Sequence, residues 1–348
     1  MSHPTKPSIA PRPLRKIIPW LELILLAASL IVPVFADDFW TLFCTRVFIL
    51  GLLALSFDLV WGYAGILSFG QALFFGMAGY CTALLATEGG ITSVLVLLPV
   101  AGLVGLVVSL ILAFIVILGR RVPSTVFVAL GTLTGSYVVE RLARGWSYVG
   151  GQNGIPSLPR LTLAGHEIAE GVSFYYMALG VLLISYVALK FLTRSQLGLV
   201  LAGIRQHETR ITFFGYRVQH VKGIIFALGG FIAGLAGGMY AFHEGYVGPG
   251  QLSPVLSTQV VLYVLFGGVG TLIGAVSGAG MIEYLSFMLS QQYQRLWPII
   301  LGLLLLIIVM FRPTGLISFF ASDRERIGSF GRPDEAALPQ NDADQKPA

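Results

Sequence analysis

The sequence predicts an all-α polytopic membrane protein. It should have about ten transmembrane helices, with eight as the alternative count, both termini cytoplasmic, and some segments broken or re-entrant. Three observations carry this expectation. Hydrophobic residues make up 55% of the 348-residue chain and charged residues only 11%, against about 25% charged in soluble domains. The apolar residues gather into blocks near the ~20 residues that a helix needs to cross hydrocarbon. With the N-terminus placed in the cytoplasm, seventeen of the twenty-two Lys and Arg fall in inner segments and five in outer ones, the asymmetry expected of cytoplasmic loops. Both termini on one side require an even number of spans.

In chain order, residues 1–17 form a basic, Pro-bearing N-terminal tail of the kind that stays disordered. The membrane domain covers 18–320. Its apolar blocks lie at 18–36, 41–60, 68–87, 92–118, 122–140, 174–192, 221–243, 255–270, 272–290 and 296–311, with 255–270 short for a span. The first block, behind its basic head and ending in Val34, Phe35 and Ala36, also has the layout of a cleaved signal peptide. Its length favours an uncleaved helix. Residues 321–348 are polar and expected to be disordered. Cys44 and Cys81 both fall inside apolar blocks, so they suggest no disulfide framework.

The connectors carry more information. The loop 141–173 is the longest external segment, with turn formers at Gly150, Gly151, Asn153, Gly154 and Pro156. It is either a plain surface turn or a docking loop, since loops on rigid scaffolds often carry recognition. From Asp58 the chain breaks into two apolar runs around Gly62, Gly65 and Gly70, with Ser68 and Gln71 between them. Uncharged, Gly-rich backbone at membrane depth must be buried in protein or line a water-filled cavity. Broken helices of this sort can present backbone groups to a solute, and a tightly packed helical hairpin is the alternative.

Two glycine series, Gly230, Gly234, Gly238 and Gly270, Gly274, Gly278, have the four-residue spacing of close helix seams. Among ionisable residues, Asp58 lies near an inner span end, Glu140 and His243–Glu244 near outer ends, and Glu283 well inside an apolar run. An intramembrane acid is a functional candidate, although a helix-packing or cavity role is the favoured reading of Glu283.

The basic stretch from Leu197 to Gly223 lies in the inner loop 193–221. Leu197, Val200, Ile204, Ile211 and Phe214 fall at helical spacing on one face, flanked by Arg205, Gln206, Glu208, Thr209 and Arg210. Glu208 is spaced to meet Arg205 at i, i+3. Such a helix lies on anionic lipid or fits a groove of a cytoplasmic partner. The chain has no G-x-x-x-x-G-K-[ST], no H-E-x-x-H, no Cys/His cluster and no G-x-S-x-G, hence no recognisable equipment for hydrolysing a nucleotide, binding a metal or cutting a bond. Energy for vectorial work would come from an ion gradient or a partner.

Five stretches then narrow the reading: FDLVWGYAGILSFGQALFFGMAGY (57–80), GGQNGI (150–155), SQLGLVLAGIRQHETRITFFGY (195–216), LFGGVGTLIGAVSGAG (265–280) and FRPTGLI (311–317). In this order and spacing, over roughly 40–320, the chain resembles the bacterial branched-chain amino acid ABC transporter permeases of the LivM type. The resemblance implies that 195–216 is the coupling segment docking on an ATPase subunit, matched by Gly198, Ala202, Ile204, Arg205, Glu208, Arg210 and Gly215. Leu199, Gln206, His207 and Ile211 depart from that pattern. It places Gly65, Ser68, Phe69, Gly70 and Gln71 near the translocation path, with Gln71 where His is frequent. It makes Gly150, Gly151, Asn153 and Gly154 part of a docking loop for a periplasmic substrate-binding protein.

The implied partners are a homologous second permease subunit (LivH-like), two cytoplasmic ATPase subunits carrying ATP and Mg, the binding protein and membrane lipid. No nucleic acid, no cofactor and no catalytic step belong to this chain. The implied location is the bacterial inner membrane, multi-pass. One alternative keeps the family and changes the cargo to urea, short amides or other small carboxylates. A more remote one is an ion-coupled secondary transporter using Asp58 and Glu283.

Overall fold

The structure, a computed structural model, describes residues 17–119, 125–163, 165–168, 170–293, 299–300, 302–303 and 306. The expected N- and C-terminal tails, Arg120, Arg121, most of the block at 296–311 and the FRPTGLI stretch lie outside the described residues.

The helices are α1 (Ile17–Phe35), α2 (Asp38–Phe57), α3 (Gln71–Thr87), α4 (Val94–Val116), α5 (Thr125–Gly145), α6 (Val172–Arg194), α7 (Gln196–Phe213), α8 (Val218–Glu244), α9 (Pro254–Gly267) and α10 (Leu272–Tyr293). Nine of the ten apolar blocks coincide within a few residues with a described helix. Among the described residues, six helices are long and apolar enough to cross a membrane: α2 with its extension to Tyr63, α4, α5, α6, α8 and α10. Ile24–Phe35, α3 and α9 are shorter apolar helices. This is the architecture of a multi-pass membrane protein.

Helix α8 is the hub, packed against α4, α3 and α2. Phe226, Ala233, Ala236 and Ala241 are buried along it, whereas Leu103, Val107, Ile111 and Phe114 of α4 face outward. That is the distribution for helices whose outer faces meet lipid and whose inner faces meet protein. The α4–α8 approach depends on missing side chains. A Cβ on Gly234 would lie 2.3 Å from the Ala101 carbonyl oxygen, and one on Gly230 would lie 2.2 Å from Ser109 Oγ. Without an apolar driving force between helices in lipid, such backbone proximity supplies the packing. Gly234→Ala should therefore lower the thermal midpoint of the detergent-purified chain, at a cost of about 1–3 kcal/mol typical of overpacking. An unshifted midpoint in a fluorescence melt would contradict the seam.

The second glycine series needs a correction. Gly274 and Gly278 lie on α10, and a Cβ on Gly278 would come within 2.0 Å of the Tyr263 carbonyl oxygen of α9. Gly270 is not helical; it sits in the α9–α10 turn with φ +78°. A four-residue spacing alone does not distinguish a helical face from the turn that precedes it.

The purely helical expectation is also qualified at the end of the bundle opposite α7. There β1 (Ile155–Pro156) pairs antiparallel with β4 (Tyr246–Val247), and β2 (Thr162–Leu163) pairs with β3 (His166–Glu167) in a small hairpin. Thr162 N donates to the Thr92 carbonyl at 2.8 Å and Leu158 N to the Gly245 carbonyl at 3.1 Å. The long loop is thus tied by its backbone to the α3–α4 and α8–α9 connections.

Candidate functional site

At its lower end α2 widens into a π-helical turn over Asp58–Tyr63. The Ala64 N–H reaches back to the Leu59 carbonyl at 3.3 Å. Single π-turns inside helices recur at functional sites. Asp58 is fully buried, and its Oδ1 accepts a hydrogen bond from Gly270 N at 2.7 Å. The left-handed backbone of Gly270 turns that N–H toward α2. Gly62 must lack a side chain here: its Cβ would sit 2.2 Å from Asp58 Oδ1 and 2.7 Å from Gly270 N.

The irregular backbone from Ala64 to Gly70 is held by side chains of neighbouring helices. Phe69 N donates to Thr132 Oγ1 at 2.9 Å, Ser257 Oγ donates to the Phe69 carbonyl at 2.7 Å, and Ala72 N donates to Ser257 Oγ at 3.1 Å. Gly70 N donates to Ser68 Oγ at 3.1 Å, and Ser56 Oγ to Gln71 Oε1 at 3.0 Å. Ser68, Gly70 and Gln71 are buried, while Gly65 and Phe69 are half-buried. Within this chain the connector is therefore backbone enclosed in protein, as non-helical backbone at this depth requires.

Helix α7 starts where Ser195 Oγ accepts from Leu197 N at 3.2 Å, an N-cap. At His207 the backbone leaves the helical region (φ −151°, ψ 89°), so α7 is two short helices meeting at a kink. The single apolar stripe expected along it does not form. Gly198, Leu201 and Ile204 are buried. Leu199, Phe213 and Phe214 are 72%, 86% and 77% exposed.

Arg205 is exposed overall, but its Nη1 donates to the Gly62 carbonyl at the π-turn. Partial burial of the guanidinium lowers its pKa from the usual value, and the nearby Asp58 carboxylate opposes that shift. Arg205 stays charged at neutral pH. Glu208 does not meet Arg205. It accepts from Lys222 Nζ of α8 at 2.7 Å, because the Arg205 head is committed to the membrane helices and Lys222 lies across the α7–α8 turn.

Of the other expected coupling residues, Ala202 is half-buried, Arg210 is exposed, and Gly215 (φ +87°) makes the turn into α8. The expected set thus divides by geometry. Gly198 and Ile204 pack α7 down, Arg205 and Glu208 join it to α2 and α8, and Arg210 faces out.

At the opposite end, Gly150, Gly151 and Gly154 all have positive φ. Gly154 is buried beneath β4, where a Cβ would lie 2.2 Å from the Val247 carbonyl oxygen. Asn153 is exposed at the turn. Trp146 and Tyr148 stand exposed beside it with ring centroids 5.9 Å apart. Tyr148 OH donates to Glu88 Oε2 at 2.5 Å. Sequence reasoning passed over these two aromatics, although their exposed placement is a common recognition signal.

Residues 41–309 match the family described as the permease component of branched-chain amino acid transport systems. This span contains the Asp58–Gly270 junction, α7 and the long loop. The chain is similar to the high-affinity branched-chain amino acid transport system permease protein LivM of Salmonella typhimurium. They are 28% identical over 296 residues, covering 78% of this chain and 68% of the relative. The protein of the same description from Escherichia coli K12 is 28% identical over 289 residues, covering 76% of this chain and 67% of the relative. No solved structure matches. Matched along most of its length, the chain belongs to the family of branched-chain amino acid transport system permease components.

Proposed function

We propose that this chain is one of two related membrane subunits of an ATP-driven importer of branched-chain amino acids in the bacterial inner membrane. In this reading the chain has ten spans and both termini in the cytoplasm. Helix α7 lies on the cytoplasmic face, where each of two ATPase subunits holding ATP and Mg docks beneath a permease. The Trp146–Gly154 region faces the periplasm and receives a substrate-binding protein. The relatives' names support the substrate class.

The observation that carries the reading is the dual character of α7. It offers an apolar surface of Leu199, Phe213 and Phe214 to solvent, and its Arg205 is fastened to the broken end of α2. Movement of α7 is passed to the α2 π-turn and, through Asp58, to the α9–α10 turn. A partner pulling on α7 would thus tilt packed helices as bodies. The binding protein biases the same equilibrium by preferring one of its states.

Phe213→Ser with Phe214→Ser should reduce capture of the ATPase subunit at least about 10-fold, because buried aromatic anchors dominate such interfaces. Pull-down from detergent with the assembled partners measures this. Undiminished capture would place the dock elsewhere.

A further inference from the structure

Near the end opposite α7, a cleft of about 510 Å³ opens among α2, α8, α9 and α10. That volume lies within the range of about 300–1,000 Å³ for small-molecule sites. Arg46 on α2 lies about 18 Å along the helix from Asp58 at 1.5 Å per residue, so the cleft is in the outer half of the bundle.

Arg46 stands between two carboxylates. Its Nε is 3.4 Å from Glu283 Oε2 and its Nη1 is 3.5 Å from Glu244 Oε1. Both are ion-pair contacts at long range, and Arg46 Nε has no hydrogen-bond partner among the described residues. Glu283, by contrast, is firmly fixed. It is 4% exposed, and its Oε1 accepts from Gln259 Nε2 at 3.0 Å and from the Tyr263 hydroxyl. This acid, read from the sequence as a helix-packing or cavity residue first, is built into the wall of a cleft.

Among the described residues, three of the seven buried side-chain polar atoms without a hydrogen-bond partner belong to residues bordering this one cleft: Arg46 Nε, His243 Nδ1 and Ser286 Oγ. Buried polar groups are nearly always paired. Their concentration at one cleft fits a site whose ligand supplies the missing partners.

The charge balance selects the ligand's chemistry. One guanidinium faces Glu283 and Glu244, and Glu170 also borders the space, so acids outnumber the base. A plain carboxylate would add a further anion. A neutral amide or urea would leave the excess unmatched. An α-amino acid zwitterion brings a carboxylate for the unpartnered Arg46 Nε–H and an ammonium for the surplus acid. One side of the cleft is apolar, formed by Phe39, Leu42, Phe43 and Phe287, with Phe287 lying 5.2 Å from Phe39 and 5.7 Å from Phe43, centroid to centroid. It suits an aliphatic side chain.

We propose that this cleft is a binding site for a zwitterionic, aliphatic α-amino acid in the outer half of the permease. The proposal rests on the importer reading and adds to it the site and the chemistry of recognition.

The test uses the assembled transporter without its soluble receptor, probed with L-leucine, 4-methylpentanoate and 3-methylbutylamine. These share a branched chain and differ in their charged groups. Leucine should raise the thermal midpoint at concentrations where the other two do not. Glu283→Gln and Ser286→Ala should each weaken leucine binding at least about 10-fold. Ser286→Ala removes an atom that has no partner, so it should leave the unliganded midpoint unchanged and remain informative if Glu283→Gln folds poorly. Equal shifts with all three probes, no shift with leucine, or full leucine binding by Ser286→Ala would overturn the site. If leucine binds as described but the complete transporter with its receptor imports no leucine, the importer reading fails and the site stands.

Discussion

The Arg205→Ala transporter is expected to assemble, capture its ATPase and hydrolyse ATP, yet import leucine at least about 10-fold more slowly than the parent. A hydrogen bond from a charged donor contributes about 1.5–3 kcal/mol. This one joins α7 to the Gly62 carbonyl at the π-turn. Arg205 is exposed overall, so its loss should fall on transmission more than on folding. Arg205→Lys keeps a positive charge but reduces the planar fork to a point charge, and should recover only part of the rate. Glu208→Ala breaks a partly exposed pair with Lys222, a kind that contributes about 0–1 kcal/mol, and should do less. Import and hydrolysis measured together in proteoliposomes separate these outcomes. An unchanged import-to-hydrolysis ratio in the Arg205→Ala, Glu208→Ala double variant would remove α7 from the transmission path.

Gly62→Ala should be strongly damaging. The new Cβ would fall 2.2 Å from Asp58 Oδ1 and 2.7 Å from Gly270 N. It has to displace the hydrogen bond that a fully buried carboxyl oxygen accepts. Asp58 Oδ2 already has no hydrogen-bond partner among the described residues. Leaving a buried polar group without its hydrogen-bond partner costs about 1–3 kcal/mol and more for a charged group, enough to deplete folded protein. Gly180→Ala on α6 is the control, since its Cβ meets nothing within 4 Å. That change should be neutral or slightly stabilising, because Ala outranks Gly within a helix. Folded yield by size-exclusion chromatography should collapse for Gly62→Ala and hold for Gly180→Ala. Equal yields would show that the Asp58–Gly270 contact is dispensable.

The parts of this molecule that depend on local pattern could be read from the sequence. The block expected at 221–243 is α8 at Val218–Glu244, and that at 92–118 is α4 at Val94–Val116, because membrane thickness fixes the length of an apolar run. Gly230 and Gly234 were legible as a seam from their four-residue spacing on one helical face. What escaped was decided by contacts far apart in sequence. Arg205 and Glu208 have ideal i, i+3 spacing, but Gly62 and Lys222 compete for them. The π-turn at Asp58 depends on Gly270, more than two hundred residues away. The kink at His207 divides an apolar periodicity that counts as one helix on paper, and leaves Phe213 and Phe214 on the surface instead of beneath it. Glu283 stands out in the sequence as an intramembrane acid, but Arg46 and Glu244 join it only when α2, α8 and α10 pack together.

As an inner-face handle, α7 has a sidedness that can be measured directly. With Cys44 and Cys81 replaced by alanine, Phe214→Cys would be exposed to a membrane-impermeant maleimide in intact spheroplasts and in inverted vesicles. Labelling is expected in inverted vesicles alone, reduced when the ATPase subunit is bound. Labelling in intact spheroplasts would put α7 on the outer face and contradict the inner-face placement.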